Sequence, residues 1–161
     1  MPDKQNKLKE YQEKRNFKKS KEPPGKPVSS RGDLRKASLV YVIHEHHASR
    51  LHFDLRLERN GVLMSWAIPK EPRMDNKKRL AIRVEDHPLE YADFFGEIPE
   101  GEYGAGMVKI WDKGTWQPEN IKSFKIVAII KGRKLKGRFA LVQLKNNPKN
   151  WIFFKARERG I

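Results

Sequence analysis

Four of the five histidines in this 161-residue chain, His44, His46, His47 and His52, fall within nine residues, and Asp54 and Arg56 follow directly. From Leu51 to Glu58 the residues alternate without a break, so a strand there places His52, Asp54, Arg56 and Glu58 on one face. Same-face neighbours lie roughly 6.5 to 7 Å apart, which lets His52 and Asp54 both lean toward one ion. A third ligand must come from elsewhere. A chain reversing through Ala48-Ser49-Arg50 brings His44, His46 or His47 beside His52; His46 is preferred, with His44 its competitor. Imidazoles plus a carboxylate suit divalent Mn, Fe, Zn, Co or Ni, and spacing does not separate them. The chain has no cysteine, so thiolate nucleophiles, disulfides and Cys-ligated zinc are excluded.

Arg56, two residues beyond Asp54, could grip phosphate oxygens bidentately next to such an ion, which points to a phosphoester. His87, in Glu85-Asp86-His87-Pro88-Leu89-Glu90-Tyr91, could donate to a phosphate oxygen or protonate a leaving alkoxide. The plainer reading of the alternating strand is a half-buried one whose polar face meets water. Solvated strand faces, however, draw on Lys, Glu and Thr rather than imidazole.

The elements that must position these residues read as all-β. After Ala37, short runs of Val, Ile, Leu, Phe and Trp are broken every eight to twelve residues or so by turn formers. Strands are expected near Ser38 to Ile43, Leu51 to Arg59, Val62 to Ile68, Arg79 to Glu85, Met107 to Asp112, Phe124 to Lys131, Lys134 to Leu144 and Trp151 to Ala156. Asn60-Gly61 signals a tight hairpin. About eight strands with almost no helical period predict a small, compact antiparallel β-barrel over 37–161. Asp86 to Gly106, with two prolines and four glycines, reads as a long functional loop.

Residues 1–36 carry 12 Lys and Arg against 5 Asp and Glu and read as a basic amino-terminal arm, with Leu8, Tyr11 and Phe17 spaced to dock on the body. The whole chain holds 35 Lys and Arg against 20 Asp and Glu, a formal charge of +15, which calls for a polyanionic partner. No apolar run approaches the ~20 residues of a membrane span and no signal peptide opens the chain, so a cytoplasmic, soluble protein is expected.

The chain resembles the 3′-phosphoesterase module attached to bacterial ATP-dependent DNA ligase D and also found standing alone. The matching residues are Lys14-Arg15-Asn16-Phe17 with Glu22-Pro23, His46 to Glu58, Gly61-Val62-Leu63, Ser65-Trp66-Ala67, Pro69-Lys70, Arg79-Leu80-Ala81, Glu85 to Tyr91, Gly96 to Gly106, Trp111-Asp112 and Gly114-Thr115-Trp116. Weaker similarity continues through Leu135 to Arg138 and Trp151 to Ala156. The resemblance implies a β-barrel with a manganese site, Co²⁺ being another candidate, that heals 3′ ends in non-homologous end joining. A diesterase step removes a terminal ribonucleoside and leaves a 3′-phosphate; a monoesterase step exposes the 3′-OH.

By position, the match implies His46, His52 and Asp54 as metal ligands, Arg56 and His87 as phosphate contacts, and Tyr91, Arg15 and Glu22 as further catalytic-site residues. It makes His44, Lys70 and Arg79 supporting candidates and docks the arm around 11–23, leaving only the extreme terminus loose. Two positions depart from the family: Asn16 stands where Asp is common, and His44 where a polar amide is. The first could tilt the balance of the two esterase steps. The implied substrate is a DNA primer-template ending in a 3′-ribonucleotide or 3′-phosphate, with a ligase and end-binding repair proteins supplied in trans in a prokaryotic, nucleoid-associated setting.

Two rivals compete. A 2-His-1-carboxylate iron oxygenase would use His52-Phe53-Asp54 followed by His87. A non-catalytic nucleic-acid-binding β-barrel would use charge and exposed aromatics such as Trp111 and Trp116.

Overall fold

Asn60 and Gly61 both adopt positive φ, 54° and 84°, as a two-residue type I′ turn requires, so the strands on either side fold back with Arg59 opposite Val62. The computed structural model describes residues 8–25 and 39–157. Within them run β1 (Leu39–His47), β2 (Leu51–Arg59), β3 (Val62–Ile68), β4 (Arg79–Pro88), β5 (Gly96–Ile98), β6 (Gly106–Lys122), β7 (Lys125–Lys131), β8 (Lys136–Gln143) and β9 (Asn150–Lys155). Every pairing is antiparallel, in the order β1-β2-β3-β4-β9-β8-β7-β6-β5, and a further β1–β6 pairing closes eight strands into a barrel. The remaining strand, β5, lies along β6.

The length of β6 makes the closure. Met107 to Trp116 pairs with β1, and Thr115 to Lys122 pairs with β7. A register shift at Ile43/His44, where the partner steps from Asp112 to Ile110, inserts Trp111 as an extra residue. Such a bulge bends the strand and reverses which face its residues present.

The barrel interior is filled by one face of each strand. Tyr41, Ile43, Phe53, Leu55, Leu57, Trp66, Trp116, Phe139 and Phe153 are among its buried members. A second apolar cluster, of Tyr11, Val42, Leu63, Tyr91, Ala92, Ile98 and Val108 with Phe17 packed against it, lies on the other face of the wall. That layer comes from helix α1 (Lys9–Glu13), a 3₁₀ helix (Leu89–Asp93) and β5. The polar face of β2 is therefore covered rather than solvated: Asp54, Arg56 and Glu58 are all buried.

Several expectations need correction. The stretch from Asp86 to Gly106 is not one long loop, because β4 runs on to Pro88 and the 3₁₀ helix and β5 follow. These are too short to show a period, and packing against the wall forms them. β6 extends ten residues past Asp112, through Pro118, where its register shifts again. Trp116 is fully buried and Trp111 is partly buried against the core, so neither is the freely exposed aromatic that the binding-barrel reading expected. Residues 8–25 dock as a covering layer, while the expectation of a loose extreme terminus falls outside the described residues, as does Ser38. Among the described residues no helix is long and apolar enough to cross a membrane.

Candidate active site

His46 on β1 and His52 on β2 are direct cross-strand partners, and Asp54 follows His52 by one same-face step. Antiparallel pairing thus converts three separated residues into one cluster. Asp54 Oδ2 lies 3.4 Å from His46 Nδ1 and 3.3 Å from His52 Nε2. One ligand atom from each of the three lies within 4.8 Å of the others.

The outward nitrogens explain the orientation. A carbonyl only accepts, so His46 Nε2–H donates to Gly104 O (2.6 Å) and His52 Nδ1–H donates to Arg50 O (3.1 Å). Metal ligation needs a lone pair on each ring, and with these N–H groups committed it would come from His46 Nδ1 and His52 Nε2, both of which face Asp54. Carbonyl-fixed tautomers of this kind are how proteins orient metal-binding imidazoles. Burial would raise the pKa of the Asp54 carboxyl, but Arg56 and the two histidines override it and hold the group well below its ordinary value. Burial lowers His52, yet Asp54 leaves it raised overall. Two directed lone pairs and an ionised carboxylate fit a divalent cation.

Arg56, 3% exposed, borders this cluster with Nη2 3.4 Å from Asp54 Oδ2. Its Nη1 donates to Ser65 Oγ (2.9 Å), its Nε donates to His44 Nδ1 (3.1 Å), and its guanidinium lies 4.7 Å from the Tyr91 ring centroid. His44 is held from the other side, donating Nε2–H to Phe94 O (3.0 Å). Burial and the neighbouring Arg56 charge push His44 down to about 3, so it is neutral. His44 therefore serves Arg56 as an acceptor instead of competing for the cation.

The docked arm forms the roof. Arg15 donates from Nε to Glu22 Oε2 (3.0 Å), from Nη1 to Glu85 Oε1 (3.3 Å) and Tyr11 O (3.1 Å), and from Nη2 to His87 Nε2 (3.2 Å). It also stacks 3.9 Å above the Tyr11 ring centroid. Glu22 is buried and accepts from Ser20 Oγ (2.8 Å) and Tyr91 Oη (2.6 Å). His87 donates Nδ1–H to Glu85 O (2.9 Å), which turns its Nε2 lone pair toward Arg15. Burial, then Arg56 and Arg15, hold His87 well below its ordinary value. It is a neutral acceptor toward Arg15 in this state.

The pocket that results has a volume of about 310 Å³. Arg15, His46, His52, Asp54, Arg56, His87 and Tyr91 line it, with Glu85, Tyr103 and Gly104. Glu22 and His44 sit behind that lining and hold its members in place. Lys70 and Arg79 do not line it: Lys70 is exposed beyond β3, and Arg79 donates to Glu71 O (3.0 Å). Glu85, Ser65 and Tyr103 were not singled out by spacing, and Tyr11 was expected only to dock the arm. The clustering of Glu85 with His87 was the one available signal, since the other contacts span 9 to 89 residues of sequence.

A barrel carrying a candidate metal-ligand triad beside a buried guanidinium on its outer wall is the arrangement that a class of metal-dependent enzymes acting on anionic substrates would need. The chain belongs to the family described as the DNA ligase D 3′-phosphoesterase domain, which it matches over residues 44–143. It is similar to the multifunctional non-homologous end joining protein LigD of Pseudomonas aeruginosa, 45% identical over 94% of this chain and 19% of that protein. LigD of Mycolicibacterium smegmatis is 42% identical over 95% of this chain and 21% of its own length. The multifunctional non-homologous end joining DNA repair protein LigD of Mycobacterium tuberculosis is 42% identical over 94% of this chain and 20% of its own. The chain thus spans about a fifth of the length of these relatives.

Proposed function

We propose that this chain is a manganese-dependent, 3′-end-healing phosphoesterase in DNA repair. As a diesterase it removes a 3′-terminal ribonucleoside and leaves a 3′-phosphate; as a monoesterase it converts that phosphate to 3′-OH. The observation that carries the reading is the convergence of His46 Nδ1, His52 Nε2 and Asp54 beside buried Arg56. Family membership and similarity to end-joining proteins support the substrate class.

His46, His52 and Asp54 would hold the cation, for which Mn²⁺ is assigned and Co²⁺ is the alternative. When bound, such an ion supplies Lewis acidity toward a phosphoryl oxygen and lowers the pKa of water. Arg56 binds non-bridging oxygens and stabilises charge growing on them, in a buried setting that strengthens the contact. Its orientation is fixed in advance by His44, Ser65 and Tyr91. His87 and Glu22 hold Arg15 over the opening, and Arg15 adds the second positive charge. Tyr91 stays protonated, because burial pushes its phenol well above its ordinary value. Lys70 and Arg79 are assigned to the chain leading away from the pocket. The substrate is a primer-template in the prokaryotic cytoplasm at the nucleoid, with a ligase and end-binding repair proteins as partners.

Primer-template ending in one ribonucleotide, incubated with the protein and Mn²⁺, is expected to lose the terminal nucleoside and then the 3′-phosphate. Chelator, His52→Ala and Asp54→Ala should each abolish both steps. Full activity in either variant would sink the reading. The triad His46, His52 and Asp54 is itself two histidines and a carboxylate, so what disfavours the oxygenase rival is membership of a phosphoesterase family and the buried Arg56 beside the triad.

A further inference from the structure

Tyr103 belongs to the pocket but to none of the roles above. It is 47% exposed while lining the same pocket as the triad and Arg15. The turn that carries it is held by backbone hydrogen bonds. Glu102 N–H donates to Pro99 O (3.1 Å) and Ala105 N–H to Glu102 O (3.0 Å), and Gly101, Gly104 and Gly106 all have positive φ. At Gly106 a Cβ would lie 2.0 Å from His47 O, so the turn presses on β1; at Gly104 it would lie 3.3 Å from His46 Cε1. The residue next to Tyr103 is thus the one whose carbonyl fixes His46. The ring is flanked by cations, with Lys14 Nζ 5.0 Å and the Arg15 guanidinium 5.2 Å from its centroid.

A half-exposed aromatic ring, carried by a hydrogen-bonded turn at the mouth of a cationic pocket, is what base stacking requires. Arg56 and the triad would take the phosphate, and Tyr103 shares the lining of that same pocket. Only the terminal nucleoside has no chain beyond it, and only it suits a cleft of about 310 Å³ roofed by the arm. We infer that Tyr103 is a positioning residue that stacks on the base of the leaving 3′-terminal ribonucleoside. Stacking ignores base identity because every base has a π face, so end trimming by this site is indifferent to the terminal base.

This inference rests on the proposed diesterase activity, and the two fail differently. Tyr103→Ala is expected to raise KM for a primer with a terminal ribonucleotide by about 5-fold or more, with kcat changed by less than about 2-fold. Tyr103→Phe should restore the wild-type KM. A 3′-phosphate primer has no leaving nucleoside, so its hydrolysis should be the same in both variants and the wild type. A terminal 2-aminopurine riboside, bound without divalent ion, should be quenched by the wild type and not by Tyr103→Ala. Unchanged diester KM in Tyr103→Ala, or an equal loss on the 3′-phosphate primer, or absent quenching would overturn the stacking role. Failure of the wild type to act on either substrate would instead overturn the activity itself.

Discussion

His44 shows how one residue's chemistry is decided by its two neighbours. With Nε2–H committed to Phe94 O, its Nδ1 accepts from Arg56, and that bond makes it a support for the guanidinium. His44→Ala leaves a buried Arg56 N–H unpaired, at a cost of roughly 1–3 kcal/mol in stability. It should depress phosphoesterase activity while Mn²⁺ affinity, followed by calorimetric titration, stays unchanged. The amide oxygen of a glutamine can replace the imidazole acceptor, so His44→Gln should recover most of the loss in both activity and thermal unfolding.

The arm from Leu8 to Gly25 is the element that converts an open wall into a pocket. Its anchor is Tyr11, fully buried against Phe17, His87 and Tyr91, with its hydroxyl donating to Pro23 O. Tyr11→Ala should cost roughly 3–5 kcal/mol of docking, seen as faster proteolysis near Arg15 with barrel circular dichroism retained. Glu85 ties the arm down through Lys14 and Arg15. Burial opposes its ionisation, but its own backbone N–H and the two cations hold its carboxyl below the ordinary value of 4.5. A depressed carboxyl stabilises docking fully above its ordinary value and loses that contribution as pH falls through the lowered one. Arm protease sensitivity should therefore rise with acidification below about pH 4.5, and Glu85→Gln should remove that step.

At the scale of the whole molecule, the formal charge of +15 and the cation site act on different observables. Binding of duplex DNA should weaken roughly 10-fold between 50 and 200 mM salt for every two phosphates neutralised, whatever the base sequence. Fluorescence anisotropy across a salt series checks this, and a flat response would remove charge as the basis of binding. A cation at about 100 times its dissociation constant adds about 2.7 kcal/mol to folding stability, or roughly 5–10 °C for a domain of this size. Mn²⁺ should raise the unfolding temperature of the wild type by that amount and leave His52→Ala unmoved.

The sequence by itself determined the all-β class, the Asn60-Gly61 hairpin, the shared face of His52, Asp54 and Arg56, and the resemblance that pointed to His46. Period 2 and turn chemistry are local, so they survive in a linear reading. The same locality hid what the polar face of β2 meets, because the chain that covers it lies in α1, the 3₁₀ helix and β5. Only the tertiary structure decided that His46 opposes His52 in register, that His44 and His87 are neutral, and that Arg15 and Tyr103 close over the pocket. Those properties depend on strand register, burial and contacts across tens of residues, and no periodicity encodes them.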